Sequence, residues 1–357
     1  MAELYWDNIE IAAVAGAVPK RVVDNLNYSD FFTEKELKSV IKLTGVAQRR
    51  LADEGICASD FCYAAAETLI KTMKLDRSEI DALIYTTQSP DYRMPATGVI
   101  LQHRLSLPKT TLAFDLPLGC SGFVYGLAMA FNLCQQPHIN QVLILDGEST
   151  KWKPPKNDKG GLIITSSSLL WGHGGTATLI RKTDRSNPTY LSLLSDGSRW
   201  QALHTPAGGY RNPTSLETLK IRKREDGSIK SDEHGNMDGA AVFEFTITDV
   251  PRDIKNTLKR AQTTFEDIDY FVFHQANKFM MDHFCKKLKI PLDRVIYSLH
   301  KFGNTASFSI PLTIVSELKD QLNGTKKLLM SGFGIGLSWG TIITEVNNCV
   351  VCDLVEI

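Results

Sequence analysis

The chain has 357 residues, enough for two domains of ordinary size or one large fused pair, and 40 Lys plus Arg balance 40 Asp plus Glu. That balance leaves no net field for nucleic acid or an anionic membrane, so a charged partner must be met by a local patch. A hydrophobic fraction of 43% with 22% charged residues excludes collagen, coiled coil and wholesale disorder, and the apolar runs are too short to span a bilayer.

At the start, MAELYWDNIE is acidic and aromatic where a secretory signal needs a basic beginning and an apolar stretch, so a soluble cytoplasmic protein is expected. Residues 71–90 read as a helix running into a buried strand, and residues 259–278 repeat that pattern with Ile80 and Asp81 matching Ile268 and Asp269. The segment from Cys120 (CSGFVYGLAMAFNL) similarly matches the one from Thr305 (TASFSIPLTIVSEL), each followed by a short apolar strand. Two duplicated α/β halves are therefore predicted, 1–185 and 186–357, meeting in the polar stretch Arg181 to Pro188. Between Ser195 and Met237 the chain turns Gly-rich and charged, most of all in RKREDGSIKSDEHGN, and reads as an exposed excursion or a lid. Seven cysteines are an odd, thinly spread set, which argues for reduced thiols. Cys349 and Cys352 form a CxxC with no second pair to complete a metal site.

Cys120 lies where an apolar strand is predicted to end, at Gly119, and a small-residue helix to begin, at Ser121. A helix N-terminus directs N–H groups and partial positive charge at the sulfur, a setting that lowers a thiol pKa and arms it against acyl carbonyls. Read alone, such a cysteine is also a small buried hydrophobe. His274 follows the apolar strand IDYFVF and opens HQAN, at a strand's carboxyl end. Asn304, in HKFGNTASFSIP, is by itself a helix cap. The duplication sets Asn304 beside the counterpart of Cys120 and His274 one strand away, so the three are expected to converge. The final LLMSGFGIGLSWG has glycines that permit close backbone approach and an oxyanion-binding N–H alongside that of Cys120. It lacks the Lys and Ser or Thr of a phosphate loop.

Taken in order, the Cys120 segment, HQAN, GNTAS and GFGIGLSWG resemble the β-ketoacyl-acyl carrier protein synthase III family of thiolase-fold enzymes, over essentially the whole length. The resemblance implies a five-layered αβαβα fold, a homodimer, and catalytic roles for Cys120, His274 and Asn304, with Ile335 supplying the second oxyanion N–H. It implies ping-pong chemistry on acyl-coenzyme A or acyl-carrier-protein thioesters, with no separate cofactor and no metal. An acyl group loads on the cysteine, then condenses with a malonyl thioester as carbon dioxide leaves. Met94, in TTQSPDYRMPATG, and Phe243, in MDGAAVF, are the implied acyl-pocket residues, and Lys286 and Lys287 could face an acidic carrier protein.

Five positions depart from the family pattern. Ser39 and Leu43 stand where members that grip coenzyme A carry Trp and Arg, and Glu244 and Phe279 stand where basic residues are usual. His173 replaces a common Asp. These departures keep a second reading open, a non-condensing transfer of the Cys-bound acyl group to an alcohol or amine. A third, a catalytically inert partner of the same fold, calls for loss of the nucleophile, and Cys120 is present.

Overall fold

Continuous apolar runs in this chain become strands covered on both faces. The computed structural model describes residues 2–149, 166–224 and 228–357, and within them two large sheets form. The first joins β2 (Ile9–Val18), β5 (Ala82–Thr86), β6 (Leu112–Leu116), β7 (Gln141–Glu148) and β8 (Gly174–Lys182) with the short β17 (Val350–Val351) and β18 (Val355–Glu356). Its order is β17-β2-β8-β7-β5-β6, with β18 also on β2. The second joins β1 (Ala2–Trp6), β9 (Thr189–Ser195), β14 (Tyr270–Phe273), β15 (Thr325–Gly334) and β16 (Ser338–Asn347), in the order β1-β9-β16-β15-β14. Small ladders pair β3 (Val22–Asp24) with β4 (Gln48–Arg50), β10 (Leu203–His204) with β13 (Asn236–Met237), and β11 (Arg222–Lys223) with β12 (Ile229–Lys230).

Three apolar layers separate these sheets from their helices. One lies between the first sheet and α2 (Ala58–Met73) with α3 (Thr97–Arg104), and holds Phe61, Leu69, Leu83 and Leu101. The middle layer, between the two sheets, holds Phe123, Leu127 and Phe131 from α4 (Gly122–Cys134) and Ile310 and Ile314 from α8 (Ser309–Glu317). The third packs α5 (Gly239–Arg260) and α6 (Lys278–Leu288) on the second sheet through Phe245, Ile254 and Phe284. This is the five-layered αβαβα thiolase-like arrangement. Burial of these side chains drives it, at about 25 cal/mol for each Å² of apolar surface removed from water.

The repeated motifs occupy equivalent places. β5 and β7 pair in parallel in the first sheet, as β14 and β15 do in the second. The α4 helix precedes β7 as α8 precedes β15, so the turns that carry Cys120 and Asn304 both open into the middle layer. Strands cross between sheets at the chain's ends: β1 joins the second sheet through β9, while β17 and β18 join the first through β2.

Local signals set the helix ends. Thr33 and Glu36 form a capping box at α1 (Glu34–Thr44), and Gly45 ends it with φ 81°. Asn277, the last residue of HQAN, caps α6 by accepting from the Phe279 and Met280 N–H groups. Between Ser195 and Met237 the described residues form a 3₁₀ turn and four two-residue strands; residues 225–227 of the polar stretch lie outside the described ones. Cys349 packs into the middle layer and Cys352 into the layer under α2, so the CxxC presents its two thiols to opposite faces of the first sheet. Among the described residues, no helix is long and apolar enough to cross a membrane.

Candidate active site

Strand β6 ends at Leu116, three residues before the Gly119 end that the sequence pattern sets, and α4 begins at Gly122, one residue after the expected Ser121, so Cys120 stands in the turn between them. It is buried, with 7% of its surface exposed. Backbone closes around it from the second sheet. A Cβ at Gly334 would lie 2.6 Å from the Cys120 Cβ and 2.9 Å from its Sγ, and one at Gly332 would lie 3.1 Å from the Cys120 carbonyl. Only glycine allows that approach. Ser121 Oγ shares a 2.7 Å hydrogen bond with Ser338 Oγ, which donates to the Ile335 carbonyl at 2.8 Å, clasping the glycine-rich loop to the head of α4. The N–H groups of Ile335 and of Cys120 itself bond the sulfur.

The expectation of a lowered thiol pKa does not hold. Burial pushes Cys120 up to about 12, the Ile335 and Cys120 N–H groups offset this only in part, and the Glu148 carboxylate adds to the rise. Desolvation of a thiolate outweighs a helix's partial charge when no formal cation stands beside it. At neutral pH the Cys120 side chain is therefore a neutral thiol.

Glu148 is a residue that sequence reasoning missed. At the end of β7, it accepts from the Gln88 N–H at 2.8 Å and from Ser89 Oγ at 2.7 Å. Burial raises its pKa to about 7 against those two bonds. The Gln88 side-chain oxygen in turn lies against Gly119, next to Cys120. Two acids, Asp146 and Glu148, closing the apolar run VLIL were the available signal, because carboxylates ending a strand covered on both faces are buried.

His274 follows β14 and is 1% exposed. Its N–H donates to the Ser331 carbonyl at 2.9 Å, Nδ1 lies 2.8 Å from Ser309 Oγ, and its ring meets Phe333 edge-on at 5.6 Å. Burial lowers its pKa to about 3, with a hydrogen bond to the Ala306 backbone opposing, so the imidazole is neutral. Asn304 is held by its backbone: its N–H donates to the Leu170 carbonyl at 2.7 Å and its carbonyl accepts from Gly172 at 3.0 Å. Its Oδ1 accepts from the Ala306 N–H at 2.9 Å, which turns the Nδ2 donors away from that bond.

One strand and one turn bring the three together. On β15, Ser331 bonds the His274 backbone, Phe333 meets its ring, and Gly334 abuts the Cys120 sulfur. The Ala306 backbone meets both Asn304 and His274. A thiol, a neutral imidazole, a carboxamide and two N–H groups in one buried place are suited to covalent acyl transfer.

Residues 114–197 match the family model described as 3-oxoacyl-[acyl-carrier-protein] synthase III, and residues 258–346 match that of its C-terminal part. A Campylobacter jejuni protein named for 3-oxoacyl-[acyl-carrier-protein] synthase 3 is 33% identical over 96% of this chain and 95% of its own length. The crystal structure of a 3-oxoacyl-(acyl-carrier protein) synthase from Burkholderia xenovorans superposes with a TM-score of 0.91 at 36% identity, covering 100% of this chain and 99% of that one. The chain belongs to the 3-oxoacyl-[acyl-carrier-protein] synthase III family. A Streptococcus pyogenes β-ketoacyl-[acyl-carrier-protein] synthase III, 29% identical over 94% of this chain and 99% of its own, agrees. The family reading is that of a condensing enzyme, and these relatives do not favour the non-condensing alternative.

The remaining sequence-predicted residues of this synthase III chain lie outside the buried centre. Met94 is 77% exposed on the loop between β5 and α3. Phe243 stacks on Phe279 at 5.9 Å and meets His283 at 5.7 Å, between α5 and α6. Lys286 and Lys287 lie on the last turn of α6, with Lys287 Nζ donating to the Ile247 carbonyl. Ser39, Leu43, Glu244 and Phe279 are all exposed. His173 has a structural contact: its Nδ1 accepts from the Ala52 N–H at 3.0 Å, and its own N–H donates to the Arg50 carbonyl.

Proposed function

We propose that this chain is an acyltransferase that loads an acyl group on Cys120 and condenses it with a malonyl thioester. The single observation that carries the reading is the meeting of Sγ and imidazole on β15, with the Asn304 carboxamide joined to His274 through the Ala306 backbone and two N–H groups at the sulfur. In the first half-reaction, the Cys120 thiol attacks the donor's carbonyl, its proton passing by way of neutral His274 to the departing thiolate. The products are the acyl-enzyme and a free donor thiol. A thiol near pKa 12 reacts only when that proton has a place to go, so acid-base transfer accompanies attack. The Cys120 and Ile335 N–H groups then receive the tetrahedral oxyanion.

In the second half-reaction, a malonyl thioester loses its carboxylate as carbon dioxide, and its carbonyl becomes an enolate. The Asn304 Nδ2 and the His274 imidazole donate to that oxygen. The enolate carbon attacks the acyl-enzyme carbonyl, a 3-oxoacyl thioester forms, and the Cys120 sulfur leaves and regains a proton.

Partner and donor follow from surface chemistry. The malonyl group arrives on an acyl carrier protein, whose acidic surface would meet Lys286 and Lys287 at the end of α6. The Trp and Arg grip on coenzyme A is replaced by exposed Ser39 and Leu43, and the flanking basic residues by Glu244 and Phe279, which supports an acyl donor also delivered on a carrier. Two copies associate through the β6 edge, so that exposed Met94 of each enters the other's acyl pocket beside Phe243. All seven cysteines are free, which fits work in a reducing cytoplasm.

The test is intact-protein mass spectrometry after exposure to acyl thioesters on coenzyme A and on carrier protein, followed by malonyl-acyl carrier protein with carbon dioxide measured. Acylation absent from Cys120→Ala, then turnover with carbon dioxide release, is expected. Undiminished labelling of that variant, or acyl transfer without decarboxylation, would overturn the reading.

A further inference from the structure

Arg49 is 2% exposed, and no carboxylate among the described residues forms an ion pair with it. A buried guanidinium without a counter-charge is unfavourable unless fixed dipoles replace water around it. Here those dipoles belong to one short segment. Nη1 of Arg49 donates to the Ser168 carbonyl at 2.8 Å and to that of Trp171 at 3.4 Å. Nε donates to Asn25 Oδ1 at 2.8 Å, and Asn25, fully buried, donates through Nδ2 to the Leu169 carbonyl at 2.9 Å and the Val46 carbonyl at 3.0 Å. Nη2 donates to Tyr28 Oη at 2.9 Å. The carbonyl left between these, that of Leu170, accepts from the Asn304 N–H, and Gly172 donates back to the Asn304 carbonyl. Four successive carbonyls are thus fixed, three by Arg49 and Asn25 and one by Asn304. Gly303 completes the contact: a Cβ there would lie 3.1 Å from Arg49 Cγ.

We infer that Arg49, with Asn25, is a positioning residue for Asn304: the pair fixes the 168–172 strap against which the Asn304 backbone docks, and so aims its carboxamide at the malonyl thioester. The inference rests on the reading of Asn304 as the group that steadies the enolate. Rigid backing of a donor matters because a shift of about 1 Å can cost roughly a hundredfold in rate. Lysine at position 49 keeps the charge but loses the planar fork that reaches Ser168, Trp171, Asn25 and Tyr28 together.

The experiment measures malonyl-acyl carrier protein decarboxylation and acyl loading separately in Arg49→Lys, Asn304→Ala and the double variant. Decarboxylation is expected to fall at least tenfold in Arg49→Lys with loading reduced less than threefold, and the Arg49 change is expected to add nothing in the Asn304→Ala background. Equal losses in both half-reactions, or an Arg49 effect that persists undiminished without the Asn304 carboxamide, would overturn the inference, because a general loosening of the fold does both. Should Asn304→Ala alone leave decarboxylation intact, the reading of Asn304 fails and takes this inference with it, an outcome recognisable from the single variant. If Arg49→Lys yields no folded protein, Asn25→Ser, which removes the donor to Leu169, is read in the same cycle with the same expectations.

Discussion

At the scale of single residues, the site is a set of neutral groups kept neutral by burial. His274 makes this measurable. Its ordinary pKa near 6.5 falls to about 3 in the fold, so below pH 6.5 the unfolded chain binds a proton that the folded chain refuses. The neutral imidazole's contribution to stability is complete above pH 6.5 and is lost progressively as pH falls toward 3. Urea unfolding of the native chain and of His274→Gln at pH 7.5 and pH 4.5 is expected to show the native chain losing more stability, by roughly 3 kcal/mol; equal losses would place the imidazole in a less buried setting. The same distinction divides what the residues disclosed beforehand from what they did not. A cysteine in a strand-turn-helix, a histidine after an apolar strand and an asparagine after glycine are local patterns, and all three were legible. The thiol's pKa was not, because it depends on desolvation from every side. Arg49 and Asn25 were hidden for a related reason: their partners are backbone carbonyls well over a hundred residues away, which no side-chain motif records.

At the scale of elements, the decisive event is the approach of β15 to the turn before α4. The glycine-rich loop was legible as a site of close backbone approach, and the duplicated helix-strand units were legible from matched apolar runs. The exchange of β1, β17 and β18 between sheets was not, since strands of two to five residues carry too little periodicity to name a partner. Close approach gives the clearest steric prediction. In Gly334→Ala the new methyl would fall 2.6 Å from the Cys120 Cβ and 2.9 Å from Sγ, inside van der Waals contact. Either the nucleophile or the Ile335 N–H must move, so acyl loading is expected to fall roughly a hundredfold, with far-ultraviolet circular dichroism unchanged. Loading within a factor of three of the native chain would mean that the loop is free to withdraw and that its contact with the sulfur is incidental.

At the scale of the whole molecule, the first sheet ends, among the described residues, in an edge at β6 that no further strand of the chain covers. Strand β6 pairs with β5 on one side, its Leu112 is 46% exposed, and Tyr92, Met94 and Val99 nearby are 62%, 77% and 47% exposed. An apolar strand edge of this kind invites pairing, and proteins that keep one ordinarily cover it. On the proposed reading, a second copy of the chain joined edge to edge across a two-fold axis would cover both edges at once and carry Met94 toward the neighbouring acyl pocket. Sedimentation of the native chain is expected to give twice the chain mass. In Val99→Asp/Leu112→Asp the mass is expected to halve, and condensation to fall more than the intrinsic reactivity of Cys120 toward iodoacetamide, because the pocket loses its second wall while the thiol's own surroundings persist. A native chain that sediments as one copy and condenses at full rate would show that β6 is covered by something other than its twin, and that Met94 takes no part in acyl selection.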